Sequence, residues 1–140
     1  MKYTINFTNQ PSSQELEIIC KGLDKHAEKT IGSVSFKPFG FLAHARDGTL
    51  IAGCTGVLMY GVLYIKLLWV DEIARGKGLG QELIEKAEFF AKENKCRYIT
   101  VDTFDWQAKS FYEKMGYKIE HIYDGYDNNS KFYFFRKKLN

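Results

Sequence analysis

Two periods of apolar residues divide the chain. Tyr3, Ile5 and Phe7 alternate with polar neighbours, the period of a half-buried strand, and predict a short edge strand over residues 3–7. Leu16, Ile19, Cys20, Leu23 and Ala27 then recur at helical spacing. Ahead of them Pro11-Ser12-Ser13-Gln14-Glu15 reads as a helix start, with Ser12 as cap and Glu15 completing a capping box. The spacing predicts a helix with one face buried to about Ala27. Residues 39–46 and 49–59 read as strands joined by Asp47-Gly48, a dipeptide suited to the positive backbone angles of a hairpin turn. Tyr60-Gly61 turns the chain again into a strand over residues 62–70. Gly53 and Gly56 inside a strand predict a bulge or a close approach of backbone.

Leu79, Leu83, Ile84, Ala87, Phe90 and Ala91 mark a second helix, closing near Asn94-Lys95. The strand that follows, residues 97–102, is separated from its predecessor by that helix, so the two are expected to run parallel through a right-handed crossover. A short helix over residues 106–115 ends at Gly116, where a helix cap belongs. Residues 117–123 and 132–139 form a final hairpin around the polar turn Asp127-Asn128-Asn129-Ser130. The chain of 140 residues is therefore expected to be one α/β domain spanning residues 1–140, with a mixed, mostly antiparallel sheet of about six or seven strands flanked by helices.

Between the strand at 62–70 and its helix lies the stretch Leu67-Leu68-Trp69-Val70-Asp71-Glu72-Ile73-Ala74-Arg75-Gly76-Lys77-Gly78-Leu79-Gly80. Its glycines let a phosphate approach the backbone, and the first N–H groups of the helix lack internal partners, so the turn is a candidate anion cradle. It is neither a Walker A loop nor a dinucleotide fingerprint, because Leu79 and Gln81 occupy the decisive positions. Arg75, Gly78 and Gly80 fit Arg-x-x-Gly-x-Gly, which resembles the pyrophosphate-binding motif of the GNAT superfamily of acetyl-CoA-dependent N-acetyltransferases. A second segment agrees. Ala108-Lys109-Ser110-Phe111-Tyr112-Glu113-Lys114-Met115-Gly116-Tyr117 is similar to that superfamily's tyrosine-bearing helix, in the expected order and spacing, and the resemblance runs from about Phe39 to the C-terminus.

The resemblance implies a sheet splayed between its fourth and fifth strands and a protein that uses acetyl-CoA as co-substrate, with no metal. The backbone from Gly76 through Lys77, Gly78 and Leu79 to Gly80 would meet the pyrophosphate, with Arg75 and Lys77 adding charge. Leu68, Trp69 and Val70 would orient the acetyl-pantetheine arm and stabilise the oxyanion. Tyr112 would give a proton to the departing thiolate. Asp105 stands where many relatives carry an asparagine that contacts pantetheine, and an ionised carboxylate cannot donate. Relatives often place a basic carboxylate partway along the fourth strand, yet residues 62–70 hold none. Asp71 and Glu72 lead as the base, followed by Asp102, His44 and His121. His26, followed by Glu28 and Lys29, reads as solvated.

Composition adds limits. A net charge of +3 with scattered basic residues does not argue for nucleic acid, though it suits an anionic co-substrate. Cys20, Cys54 and Cys96 form no disulfide framework or metal pattern and read as reduced, half-buried thiols. No apolar run has the length of a signal peptide or membrane span, so a cytoplasmic location is expected. No cysteine lies within either motif, so direct attack by a small-molecule amine is expected over an acetyl-enzyme. The alternatives are an acyl-CoA sensor of weak turnover and an anion-binding interaction domain; a homodimer is left open. The acceptor would sit among residues 21–40 and 121–132, whose aromatics suit a partly apolar cleft.

Overall fold

The structure is a computed structural model that describes every residue from Met1 to Asn140. The chain divides into two compact units, Met1–Val34 and Ser35–Asn140. In the first, helix α1 (Ser13–Ile31) starts as its sequence dictates: the Ser12 hydroxyl accepts from the Glu15 N–H at 3.1 Å, and Gly32, in the left-handed conformation, donates to the Glu28 carbonyl at 2.9 Å. Two expectations fail here. Residues 3–7 join no sheet, because alternation makes an extended segment amphipathic without supplying the partner its backbone groups need. Nor does α1 bury any residue; Leu16, Ile19 and Leu23 are exposed, and Cys20 with them. Periodicity reports which residues share a face, not what covers it.

The second unit is built on six strands: β1 (Phe36–His44), β2 (Leu50–Met59), β3 (Val62–Val70), β4 (Tyr98–Phe104), β5 (Lys118–Tyr123) and β6 (Phe132–Lys138). They lie in the order β1-β2-β3-β4-β6-β5, antiparallel except for the β3–β4 pair. Helix α2 (Leu79–Glu93) makes the crossover between β3 and β4, and α3 (Lys109–Lys114) follows β4. The final hairpin is not simply appended, since β6 enters between β4 and β5. Odd-numbered residues of β4 and β6, among them Ile99, Val101, Tyr133 and Phe135, join Ala52, Cys54, Leu63 and Ile65 beneath α2 and α3. Their even-numbered neighbours Thr100, Asp102, Phe104, Phe132 and Phe134 are half-buried on the other face. Burial raises the Cys54 thiol to about 11, so it rests as an inert core group. No helix is long and apolar enough to cross a membrane.

Turns follow their residues, with one change. Tyr60 and Gly61 both take positive φ, 47° and 84°, as a two-residue primed turn requires. At Asp47-Gly48 only Gly48 does so. The Asp47 carboxylate accepts the Thr49 N–H at 2.9 Å, and Gly48 donates to the Ala45 carbonyl, giving a wider turn than the dipeptide predicted. Helix α3 is also shorter than its pattern, since the Gln107 Oε1 accepts the Phe104 N–H at 3.0 Å and the Thr103 hydroxyl accepts the Ala108 N–H at 3.3 Å. Those side chains hold residues 105–108 as turns, and the helix begins only after Ala108.

One irregularity shapes the sheet. Thr55 faces Leu67 while Gly56 faces Ile65, so Lys66 is an extra residue on β3, a bulge that bends the strand. A β-carbon at Gly56 would overlap the Tyr64 carbonyl, which is why glycine stands there. Gly56→Ala is expected to lower the unfolding free energy by about 1–3 kcal/mol. Gly40→Ala, whose added carbon would meet a Thr55 methyl at 3.5 Å, should change it by less than about 1 kcal/mol. Urea titration of both variants distinguishes them; equal stabilities would mean that the bulge accommodates a side chain.

Candidate active site

The site begins where two strands stop pairing. β3 and β4 are matched from Val62 and Tyr98 to Ile65 and Val101 and no further. Past that point β3 stays with β2 as far as Val70, and β4 stays with β6 as far as Phe104. The bulge at Lys66 turns β3 away, and the strands part. A cavity of about 220 Å³ opens between them, lined by Leu67 and Leu68 from one strand, Asp102 and Thr103 from the other, and Tyr112 from α3. A broader groove of about 560 Å³ adjoins it, sharing Leu68, Gln107 and Ala108 and running past Trp69 and Val70 to Arg75 and Gly80.

At the far end of this groove lies the glycine turn. Asp71 accepts the Ile73 N–H at 3.0 Å and starts the 3-10 turn Glu72–Ala74. Gly76 and Gly78 then take φ of 76° and 79°, which only glycine adopts without strain. Gly78 is the N-cap of α2, and having no side chain it caps nothing. The N–H groups from Gly76 to Gln81 therefore find no carbonyl in the chain; the first helical bond is from the Glu82 N–H to the Gly78 carbonyl. Such a row of free donors at the positive end of a 15-residue helix attracts an anion. Arg75 secures the turn by donating from Nε to the Val70 carbonyl at 3.0 Å, which leaves its terminal nitrogens for a ligand. Lys77 is exposed beside it. These groups fit a pyrophosphate, and the groove from Gly80 to Leu68 fits an extended arm leading from it to the cavity.

Tyr112, 4% exposed, is one of the buried residues that line the cavity. Its ring packs against Phe111, Tyr117 and Phe135. Burial, followed by the Cys54 and Asp102 charges, pushes its hydroxyl well above the usual phenol range, so it keeps its proton. Every fully enclosed side-chain polar atom of the protein has a hydrogen-bond partner. The Tyr112 hydroxyl has none, so it must be reached from the cavity it lines. Glu88 of α2 holds the C-terminal side of α3 in place, accepting from the Tyr117 hydroxyl at 3.2 Å and from Lys137 Nζ at 2.9 Å, while Lys137 also donates to the Met115 carbonyl.

Leu68, Trp69, Val70, Arg75 and Gly80 are thus brought to one groove, with Gly76, Lys77, Gly78 and Leu79 at its end and Tyr112 at the cavity beside it. Asp71 and Glu72 are not brought to the cavity: the first is engaged as a cap and the second is exposed. Asp105 lies in a separate depression with Trp106, Asn128 and Ser130, its N–H donating to the Lys131 carbonyl. Sequence reasoning passed over Gln107. It lines both the cavity and the groove, two positions after Asp105; its Oε1 is occupied by the Phe104 N–H, and its amide donors have no partner in the chain. Tyr64 was also missed; its hydroxyl donates to Asp102 Oδ2 at 2.7 Å. Burial, then this hydrogen bond and the Asp102 charge, raise Tyr64 to about 12. Tyr64 and Asp102 are 38 positions apart, and no local pattern joins them.

Comparison with known proteins agrees with this geometry. Over 73 residues the chain is 44% identical to the blasticidin-S acetyltransferase of Streptomyces morookaense, an alignment covering 51% of this chain and 54% of that one. The chain spans about half the length of the curated relatives it matches. A solved structure of a protein classed as an acetyltransferase, from Agrobacterium tumefaciens, superposes with a TM-score of 0.86 at 20% identity, covering 98% of this chain and 100% of the other. Another, assigned as a streptothricin acetyltransferase from Bacillus anthracis and solved in complex with acetyl coenzyme A, gives 0.66 at 22% identity over 74% and 64% of the two chains. At these identities the structural likeness is one of fold. The sequence profile of the acetyltransferase (GNAT) family matches residues 10–117, well over half of the chain, and with the parted strands and the uncapped helix on view the protein belongs to that family.

Proposed function

We propose that this protein transfers an acetyl group from acetyl-CoA to a primary amine of a small molecule by direct attack. The observation that carries this reading is the Tyr112 hydroxyl, proton-bearing and unpartnered, opening into the cavity where β3 and β4 part. The likeness to a blasticidin-S acetyltransferase supports a small-molecule acceptor.

Three requirements of the reaction have groups in this chain. The free N–H groups from Gly76 to Gly80, with Arg75 and Lys77, hold the pyrophosphate. The edge of β3 from Leu68 to Val70, released from β4, offers backbone groups to the acetyl-pantetheine arm and a donor to the developing oxyanion. Gln107, in place of Asp105, donates its amide to that arm. Tyr112 gives a proton to the departing sulfur, and its raised pKa keeps it in the acid form throughout the range of an ordinary assay. A sensor of weak turnover would have no use for a proton donor held free at this point.

Two outcomes test the reading. Acetyl-CoA at a hundredfold excess over its dissociation constant should stabilise the protein by about 2.7 kcal/mol, read from the shift of its unfolding curve. Gly78→Asp should weaken that binding by more than about tenfold, since a carboxylate at this position strains the backbone and occupies the anion's place. Unchanged affinity in the folded variant would remove the glycine turn from the site. Tyr112→Phe should keep the ring packing and the coenzyme affinity while lowering turnover about a hundredfold. Equal thiol release by the two proteins would reduce Tyr112 to a core aromatic.

A further inference from the structure

Asp102 is a half-buried carboxylate without a cation. It accepts one hydrogen bond, from Tyr64, and joins none of the protein's ion pairs. An ionised carboxylate has about four lone-pair sites, so one donor leaves most of its capacity unfilled. No neighbouring group of the chain fills it. Lys66 of β3 lines the same cavity but is exposed and unpaired. Arg136 of β6 is engaged by Glu120 at 3.1 Å and lies over the Tyr98 ring at 4.0 Å. His121 of β5 packs against Tyr123 at 4.4 Å, and Tyr112 of α3 approaches from the other face of the sheet.

The surroundings of Asp102 on its own face are aromatic. Phe134 stands directly opposite it on β6, and Phe104 and Phe132 face each other two positions on. Phe104 and Phe132 are 4.8 Å apart, Phe132 and Phe134 5.2 Å, and Trp106 stacks on Phe104 at 5.4 Å with an interplanar angle of 11°. Ring faces attract cations and stack with flat groups. A single carboxylate beside such a wall is suited to an ammonium group attached to an apolar, planar body.

We propose that Asp102, oriented by Tyr64, receives the acceptor's ammonium group and takes its proton, and that the aromatic wall selects an amine carried on a flat apolar body. This rests on the acetyltransferase reading of the same site and assigns its second substrate. Because Asp102 and Tyr112 line one cavity from opposite faces of the sheet, base and acid stand on either side of the reacting carbonyl. The ammonium gives one proton to Asp102, and the freed nitrogen pair forms the C–N bond. The C–S bond breaks with its electron pair passing to sulfur, and Tyr112 protonates that sulfur. The second nitrogen proton returns to the Tyr112 oxygen, and the proton on Asp102 leaves to water, the net proton released when an ammonium becomes an amide. Tyr64 acts through Asp102 and is a positioning residue.

The test compares wild type, Asp102→Asn and Tyr64→Phe. Each is assayed for acetyl-CoA binding by calorimetry and for thiol release with β-phenylethylamine, butylamine and phenylacetic hydrazide. The two amines are ammonium ions near neutral pH; the hydrazide is a neutral nucleophile. The wild type is expected to prefer β-phenylethylamine to butylamine in kcat/KM. Asp102→Asn should retain coenzyme binding while its ratio of amine to hydrazide rate falls by at least about tenfold, recovering as pH rises toward the amine's own pKa. Tyr64→Phe should lower the same ratio by a smaller factor, and it decides the matter if Asp102→Asn does not fold. An unchanged ratio overturns the role of Asp102. Equal use of the two amines overturns the aromatic selection, and no turnover of either by a wild type that binds acetyl-CoA overturns the proposal as a whole. Failure of the wild type to bind acetyl-CoA would instead defeat the acetyltransferase reading beneath it.

Discussion

The site depends on hydrogen bonds that are not made. β3 and β4 pair over four residues each and then separate, so β3 carries backbone groups past Ile65 that its neighbour leaves unpaired. Buried backbone groups without partners are costly, and the protein tolerates this edge only because it borders a cavity. Two local features keep the strands apart. Lys66 bends β3 as a bulge, and Thr103 and Gln107 hold the chain after β4 as turns that bring α3 and Tyr112 to the opening. The glycine at position 56 is the sequence's contribution to the first, and its absent side chain is what lets β2 follow the bend.

Much of this was legible in the sequence wherever a single residue carries a strong local preference. Ser12 and Glu15 marked the start of α1, Tyr60-Gly61 the two-residue turn between β2 and β3, Gly56 the bulge, and Gly76 and Gly78 the open helix end. The parallel pairing of β3 and β4 followed from the intervening helix. The strand spacing of Tyr3, Ile5 and Phe7 misled because pairing depends on a partner elsewhere in the chain. Asp47 misled because its own carboxylate offered the turn a different hydrogen bond. For the candidate site, the two motifs pointed to the stretches that line the groove and to Tyr112, whereas Asp102 was only one of several candidate bases and Tyr64 was not among them. Tyr64 and Asp102 meet only because β3 and β4 lie side by side in a particular register, which no pattern within either strand encodes.

Rigidity and openness are divided between different parts of the same unit. The Glu88–Lys137–Tyr117 cluster ties α2, β6 and the end of α3 together from within, and aromatic packing around Tyr112 fixes its ring. The glycine turn, by contrast, is held mainly by Arg75 on the Val70 carbonyl and by Asp71 at the 3-10 turn. Its N–H groups are oriented by backbone geometry alone, so an anion bound there would complete the helix terminus as a side-chain cap does elsewhere.

The alternation along β4 and β6 separates two kinds of mutational change. Ile99, Val101, Tyr133 and Phe135 point into the core, whereas Asp102, Phe104, Phe132 and Phe134 point to the opposite face. The second set lies outside the packing beneath α2 and α3, although Asp102 and Phe132 also line the cavity beside Tyr112. The two faces of the sheet can therefore change by separate substitutions, one set bearing on the core beneath the helices and the other on the surface turned away from them.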